Sequence, residues 1–145
     1  MSDGHEPLAR AGHELLEHTA DLGIRAWGPT PERAFEQAAW GVVELLDSAG
    51  ADVGESRAIA VRSTDRPGLL VEFLNELVFL LDTEDVAVTA IRIRRVTDTD
   101  LDAEIIVAPL VRRSEGIVVK AATYHGLAVA VSPEGWTEVR VYLDV

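Results

Sequence analysis

Apolar residues alternate early in the chain, then recur with a helical period, and from residue 86 onward mostly alternate again. Leu22, Ile24 and Ala26 share one side of an extended segment, which predicts a half-buried strand over 22–27. Gly28-Pro29 breaks it. Thr30 is a good N-cap, and Pro31 follows where a missing N–H costs nothing. Ala34, Phe35, Ala38, Ala39, Val42, Leu45 and Leu46 then recur at helical spacing and predict a first helix, ended by Ser48-Ala-Gly50. A short strand is expected over 57–62. Asp65-Arg-Pro67 opens a second helix, with Leu70, Phe73, Leu74, Leu77, Val78 and Leu81 on its buried face. Glu72, Asn75 and Glu76 fall on the other face, and residues 82–85 form a polar exit.

The remainder reads as strands: 86–96 around Ile91 and Ile93, 101–107, 117–124, 127–131 and 136–145. A loop is expected over 109–116, and Ser132-Pro-Glu-Gly135 is a hairpin turn. Helices grouped early and strands late predict an α+β fold, a mainly antiparallel sheet with two principal helices. Residues 1–12 are polar and predict a flexible N-terminal tail, with structure beginning between His13 and Glu17. Residues 13–145 then form a single domain. A chain of 145 residues hides roughly 70% of its unfolded surface, which is enough for one core.

Composition narrows the chemistry. The 48% hydrophobic content argues against disorder. With no cysteine, disulfides, thiolate zinc sites and thiol catalysis are excluded. The N-terminus lacks the basic and apolar regions of a signal peptide, and the longest apolar stretch, over 77–81, is too short to span a bilayer. A soluble, cytoplasmic protein with no membrane partner is expected. The net charge of −12 opposes direct RNA or DNA binding, which depends on Lys and Arg neutralising phosphates. Arg92, Arg94 and Arg95, and then Arg112 and Arg113, read as solvated strand and loop charges; a role near nucleic acid through a partner stays open.

The common catalytic motifs are absent: no Gly-x-Gly-x-x-Gly, P-loop, His-Glu-x-x-His or Gly-x-Ser-x-Gly. None of His5, His13, His18 and His125 stands at helical i, i+4 spacing to another. His18, beside Thr19 and Asp21, is either an acid–base residue or the hydrogen-bonded anchor of a turn. The last strand says more. Val139, Val141, Leu143 and Val145 share one face, and Glu138, Arg140, Tyr142 and Asp144 the other. Asp144 therefore lies on the polar face beside the α-carboxylate of Val145, whose reference pKa is about 3.5. Asp21, at the start of another strand, is a third candidate. Such carboxylates repel unless a cation, a basic side chain or protonation relieves them. Oxygen ligands suit calcium, magnesium or manganese. The competing reading is of acidic residues at a frayed end with no ligand.

Four stretches and the chain end resemble one family. Glu17-His-Thr-Ala-Asp-Leu-Gly-Ile24 is similar to the opening signature of the archease family. Pro31-Glu-Arg-Ala-Phe-Glu36 and Leu70-Val-Glu-Phe-Leu-Asn-Glu-Leu77 resemble its two helices, and Val119-Lys-Ala-Ala-Thr-Tyr-His125 its late strand motif. The chain ends on Asp-Val where the family typically ends on Asp-Ile. The order and spacing agree over about residues 14–145. Ala122 stands where a larger aliphatic residue is common, the 112–116 loop is compact, and the tail is longer than many members need.

The resemblance implies an accessory protein of the RtcB-type RNA ligase, which joins RNA ends in tRNA splicing and RNA repair. Such proteins promote GTP-dependent guanylylation of the ligase and its multiple turnover, and are not themselves enzymes. RNA is then met only indirectly, and GTP through the ligase. The resemblance also implies a divalent metal site, calcium first with magnesium or manganese as alternatives, on Asp21, Asp144 and the terminal carboxylate of Val145. Lys120 matches the lysine of the late motif and is a candidate contact for phosphate or for ligase acids, with His18 beside it in that role. A second implied role is that of a chaperone or modulator of RNA-modifying enzymes such as methyltransferases. A third reading, a metal-dependent hydrolase, lacks a clear general base other than His18.

Overall fold

The computed structural model describes residues 10–17, 22–46, 49–50, 54–112 and 118–145. Among the described residues, eight strands and two helices follow in the order β1 (Gly12–Glu17), β2 (Leu22–Gly28), α1 (Pro31–Leu46), β3 (Ala49–Gly50), β4 (Glu55–Arg62), α2 (Arg66–Glu84), β5 (Val86–Val96), β6 (Asp100–Arg112), β7 (Ala121–Val131) and β8 (Thr137–Asp144). Every pairing is antiparallel. The expected α+β class with two principal helices is what the chain forms. The strands divide into two sheets. One has the order β1-β2-β8-β7; in the other, β6 pairs with β3, β4 and β5.

Both helices pack against both sheets: α1 meets β1, β2 and β8 on one side and β5 on the other, and α2 meets β7 and then β4, β5 and β6. One continuous core results, running from Ile24, Val141 and Leu143 through Phe35, Phe73 and Leu74 to Ile93, Leu101 and Ile105. This layering explains why Gly68, Leu69, Leu70, Val71, Phe73 and Leu74 are all buried although they circle α2. A helix with apolar residues all round needs cover on more than one side. Asp65 caps α2 by accepting from Gly68 N at 2.8 Å, with Pro67 in the first turn. Thr30 caps α1 by accepting from Arg33 N at 3.2 Å.

The edge of β5 away from β6 meets side chains of α1. Glu36 of α1 is buried, and its Oε2 accepts from Ile93 N at 2.6 Å. Arg33 ion-pairs with Glu36 at 2.9 Å and donates to the Ile93 carbonyl at 3.1 Å. Glu32 accepts from Val96 N at 3.0 Å. One helix face thus does what a neighbouring strand would do, satisfying backbone groups that edge strands otherwise leave open.

Several expectations need correction. Residues 12–17, where structure is expected to begin, form a strand; residues 1–9 of the expected tail lie outside the described residues. Ala49 and Gly50, expected to end the first helix, form the short β3, which pairs with the end of β6. The loop expected from 109 is strand as far as Arg112. Pro109 is tolerated because pairing with β4 ends at Val107 and pairing with β3 resumes at Leu110, so on that side its missing N–H interrupts no ladder. The two strands expected over 117–124 and 127–131 are one strand, β7, with a register shift between Thr123 and Ala128 and Gly126 at φ +69°. The hairpin turn forms as expected, with Gly135 N donating to Ser132 O at 2.9 Å and Ser132 N to Trp136 O at 2.8 Å.

Burial pushes the Glu36 carboxyl above its ordinary range, outweighing the Ile93 N–H and Arg33, which pull it down. The folded state therefore holds this proton more tightly than the unfolded chain. Glu36's contribution is full below its ordinary value of 4.5 and is lost as pH rises through the raised value. The stability of the parent relative to Glu36→Gln, measured by urea unfolding, should fall as pH climbs from there towards neutrality. Glu36→Ala, which leaves the Ile93 N–H without its acceptor, should cost about 1–3 kcal/mol in the same experiment.

Candidate functional site

β8 is an inner strand, flanked by β2 and β7, so both of its edges are paired. Its inward face, Val139, Val141 and Leu143, is buried as the alternation predicts, and Asp144 is exposed at the strand's end. Val145 shares that inward parity but is 40% exposed, because it lies past the last paired residue. Asp144 stands opposite Ala121 of β7, and its carbonyl accepts from Lys120 N at 2.8 Å. The Lys120 side chain is exposed. Three of the predicted site residues, Asp144, Val145 and Lys120, thus meet at one corner of the first sheet.

On the other flank, β2 begins at Leu22, opposite Leu143. Each of these two leucines is the sequence neighbour of a predicted ligand, Asp21 and Asp144. Asp21 and His18 themselves lie outside the described residues. Among the described residues no three His, Asp or Glu side chains lie close enough together to hold a metal ion. The Asp144 carboxylate exposed at the corner is a hard oxygen donor, which suits calcium, magnesium or manganese rather than a soft metal.

The sheet beneath the corner is fixed by features that periodicity does not reveal. The ring of Tyr142 lies over two glycines: a Cβ on Gly23 would stand 2.8 Å from it, and one on Gly126 2.7 Å. His125 packs near the same ring, with centroids 6.5 Å apart and planes tilted by 58°. Asn75, expected on the solvent face of the second helix, instead accepts from Ala122 N at 2.7 Å. Gly23 carries a signal, since a glycine inside a strand often marks close approach of another group. Asn75 carries a weaker one, being a poor helix former among Leu, Phe and Glu.

Two arginines of the first group, Arg94 and Arg95, are ion-paired. Arg95 bonds Asp102 at 2.7 Å and Arg94 bonds Glu104 at 3.0 Å across the outer face of the second sheet. The Ser56 hydroxyl and Arg94 hold Glu104 below the usual carboxylate range, and the Thr99 hydroxyl and Arg62 do the same for Asp100. On the first sheet, Arg25 bridges Glu138 and Glu14 at 2.9 and 3.0 Å and lies 4.8 Å over Trp27. Arg94 and Arg95 are thus exposed strand charges, as expected of them; Arg113 and the Arg112 side chain, also expected to be solvated charges, lie outside the described residues. Among the described residues no helix is long and apolar enough to cross a membrane.

Comparison with known proteins gives these features a family. A model of the Archease protein family (MTH1598/TM1083) matches residues 13–145. A protein archease of Methanothermobacter thermautotrophicus is 32% identical over 143 residues, covering 92% of this chain and 99% of its own length. The solution structure of Methanobacterium thermoautotrophicum protein 1598 superposes with a TM-score of 0.68 at 29% identity, covering 92% of this chain and 99% of that one. The crystal structure of an archease, possible chaperone, from Thermotoga maritima shares the fold, with a TM-score of 0.66 at 20% identity over 91% of this chain and 96% of that one. The chain belongs to the archease family.

Proposed function

We propose that this protein is a metal-binding activator of an RtcB-type RNA ligase, promoting ligase guanylylation and multiple turnover in tRNA splicing or RNA repair. The observation that carries the reading is the corner at the end of β8. An inner strand brings Asp144 and the following terminus to solvent, and Lys120 N anchors the Asp144 carbonyl at 2.8 Å. Asp144, the Val145 carboxylate and Asp21 would hold a divalent cation, calcium first, with magnesium or manganese as alternatives. The bound cation would supply positive charge for phosphate or carboxylate groups at a surface otherwise rich in acid. The exposed Lys120 side chain, with His18, would meet the ligase or its nucleotide. RNA would be met through the ligase, in keeping with the net charge of −12 and the paired arginines.

A chaperone role for RNA-modifying enzymes is the second reading. It is favoured by the large apolar side chains left in solvent: Phe79 at 62% exposure, Val111 at 67%, Val118 at 73% and Tyr124 at 62%. Suppression of aggregation of an unrelated client, with no effect on ligase guanylylation, would select that reading over the first.

Asp144→Ala removes an exposed carboxylate with little packing, so its unfolding midpoint should stay close to the parent's. Its calcium affinity, measured by titration calorimetry, should fall about tenfold or more, with loss of guanylylation stimulation. Undiminished stimulation by this variant would overturn the activator mechanism. A second variant, with a short extension after Val145, converts the terminal carboxylate into an amide. It should weaken calcium binding while leaving Asp144 in place; unaltered affinity would remove Val145 from the site.

A further inference from the structure

The start of β7 is held from two directions. On one side, Lys120 N donates to the Asp144 carbonyl at 2.8 Å, Ala121 stands opposite Asp144, and Ala122 stands opposite Leu143. On the other, Asn75 Oδ1, near the middle of α2, accepts from Ala122 N at 2.7 Å. Ala122 is buried, and Asn75 is half-buried. Among the described residues, Asn75 is the only helix side chain that hydrogen-bonds the 118–123 segment. A buried N–H deprived of its acceptor must find another partner or shift towards water. Within two residues of Ala122, such a shift reaches the backbone that carries Asp144.

We infer that Asn75 is a positioning residue for the corner formed by Lys120, Asp144 and Val145, acting through the Ala122 N–H. This rests on the metal-binding reading above for its ligand, though not for its backbone linkage. The relevant atom is the Oδ1 acceptor. Asp at this position retains an oxygen there, whereas Ala and Leu do not. The two lacking variants differ in volume, so an effect they share comes from the lost acceptor and not from a cavity. The β5 edge, held by Glu36 of the other helix, supplies an internal control at Ile93 N.

The test uses the full chain as Asn75→Ala, Asn75→Leu and Asn75→Asp. Amide hydrogen exchange is followed without metal, and calcium alone is then titrated by calorimetry. In Asn75→Ala and Asn75→Leu, exchange at Ala122 and Lys120 should accelerate while exchange at Ile93 stays at the parent rate. Calcium affinity should fall about tenfold, the lower end for residues that orient a metal ligand. Asn75→Asp should restore both readouts. If one of the acceptor-lacking variants does not fold, the other decides. Unchanged exchange at Lys120 overturns the inference. So does accelerated exchange with calcium affinity intact, since the corner would then not depend on Asn75. A parent chain with no calcium affinity would instead overturn the metal reading, while accelerated exchange at Lys120 would still support the linkage from Asn75 to the Asp144 backbone.

Discussion

The backbone groups along the rims of the two sheets set the terms for the rest of the fold. A strand paired on one side leaves N–H and C=O groups that must find water or a protein partner. Among the described residues β5 is paired by β6 alone, and the Glu32, Arg33 and Glu36 side chains of α1 take up the groups at Ile93 and Val96. β7, again among the described residues, is paired by β8 alone, and Asn75 of α2 takes up the N–H of Ala122. Each helix therefore makes a directional bond to a sheet rim besides its apolar packing. Hydrophobic burial would allow the helices to slide between the sheets, because it has no preferred direction. The rim bonds fix where along the strands they stop.

Once that register is set, the corner at the end of β8 follows. β8 draws support from β2 through Leu22 opposite Leu143, and from β7 through Ala122 opposite the same leucine. Tyr142 lies across the seam, with its ring over Gly23 and Gly126. A larger side chain at either glycine would push the ring aside and loosen the contact between neighbouring strands. Gly126 also supplies the positive φ within the β7 irregularity, which L side chains rarely adopt. The corner is thus backed by several residues that are not themselves proposed ligands.

Much of this is legible from residue order, and the exceptions have a common cause. Thr30-Pro31 and Asp65-Arg-Pro67 mark both helix starts because capping is local chemistry, complete within a few residues. The alternation over 136–145 assigns Asp144 to the polar face because parity in a strand is local too. Periodicity puts Asn75 on the solvent face because it separates only apolar from polar positions. It cannot tell a polar residue facing water from one reaching a strand 47 positions away. Glu36 gives no warning for the same reason, since its partner Ile93 is 57 residues distant. Pro109 suggests a loop because the gap between β4 and β3 that accommodates it exists only in the assembled sheet. Asp21 and His18, prominent in the opening motif, lie outside the described residues, so their part in the corner stays a proposal.

The exposure of the corner bears on which kind of function the fold suits. A hydrolase that activated water with these carboxylates would be expected to enclose them, since excluding bulk water strengthens every charge in the site. Here Asp144, Val145 and Lys120 are all exposed, where the end of β8 meets the start of β7. In the proposed role, another macromolecule would complete the enclosure. The arginines argue in the same direction. Arg25, Arg94 and Arg95 are tied to Glu138, Glu104 and Asp102 respectively, so freeing them for a phosphate backbone would forfeit existing pairs in a chain of net charge −12. In the proposed role the counterpart is the ligase, whose phosphate or carboxylate groups the corner would meet, while the RNA remains on the ligase side.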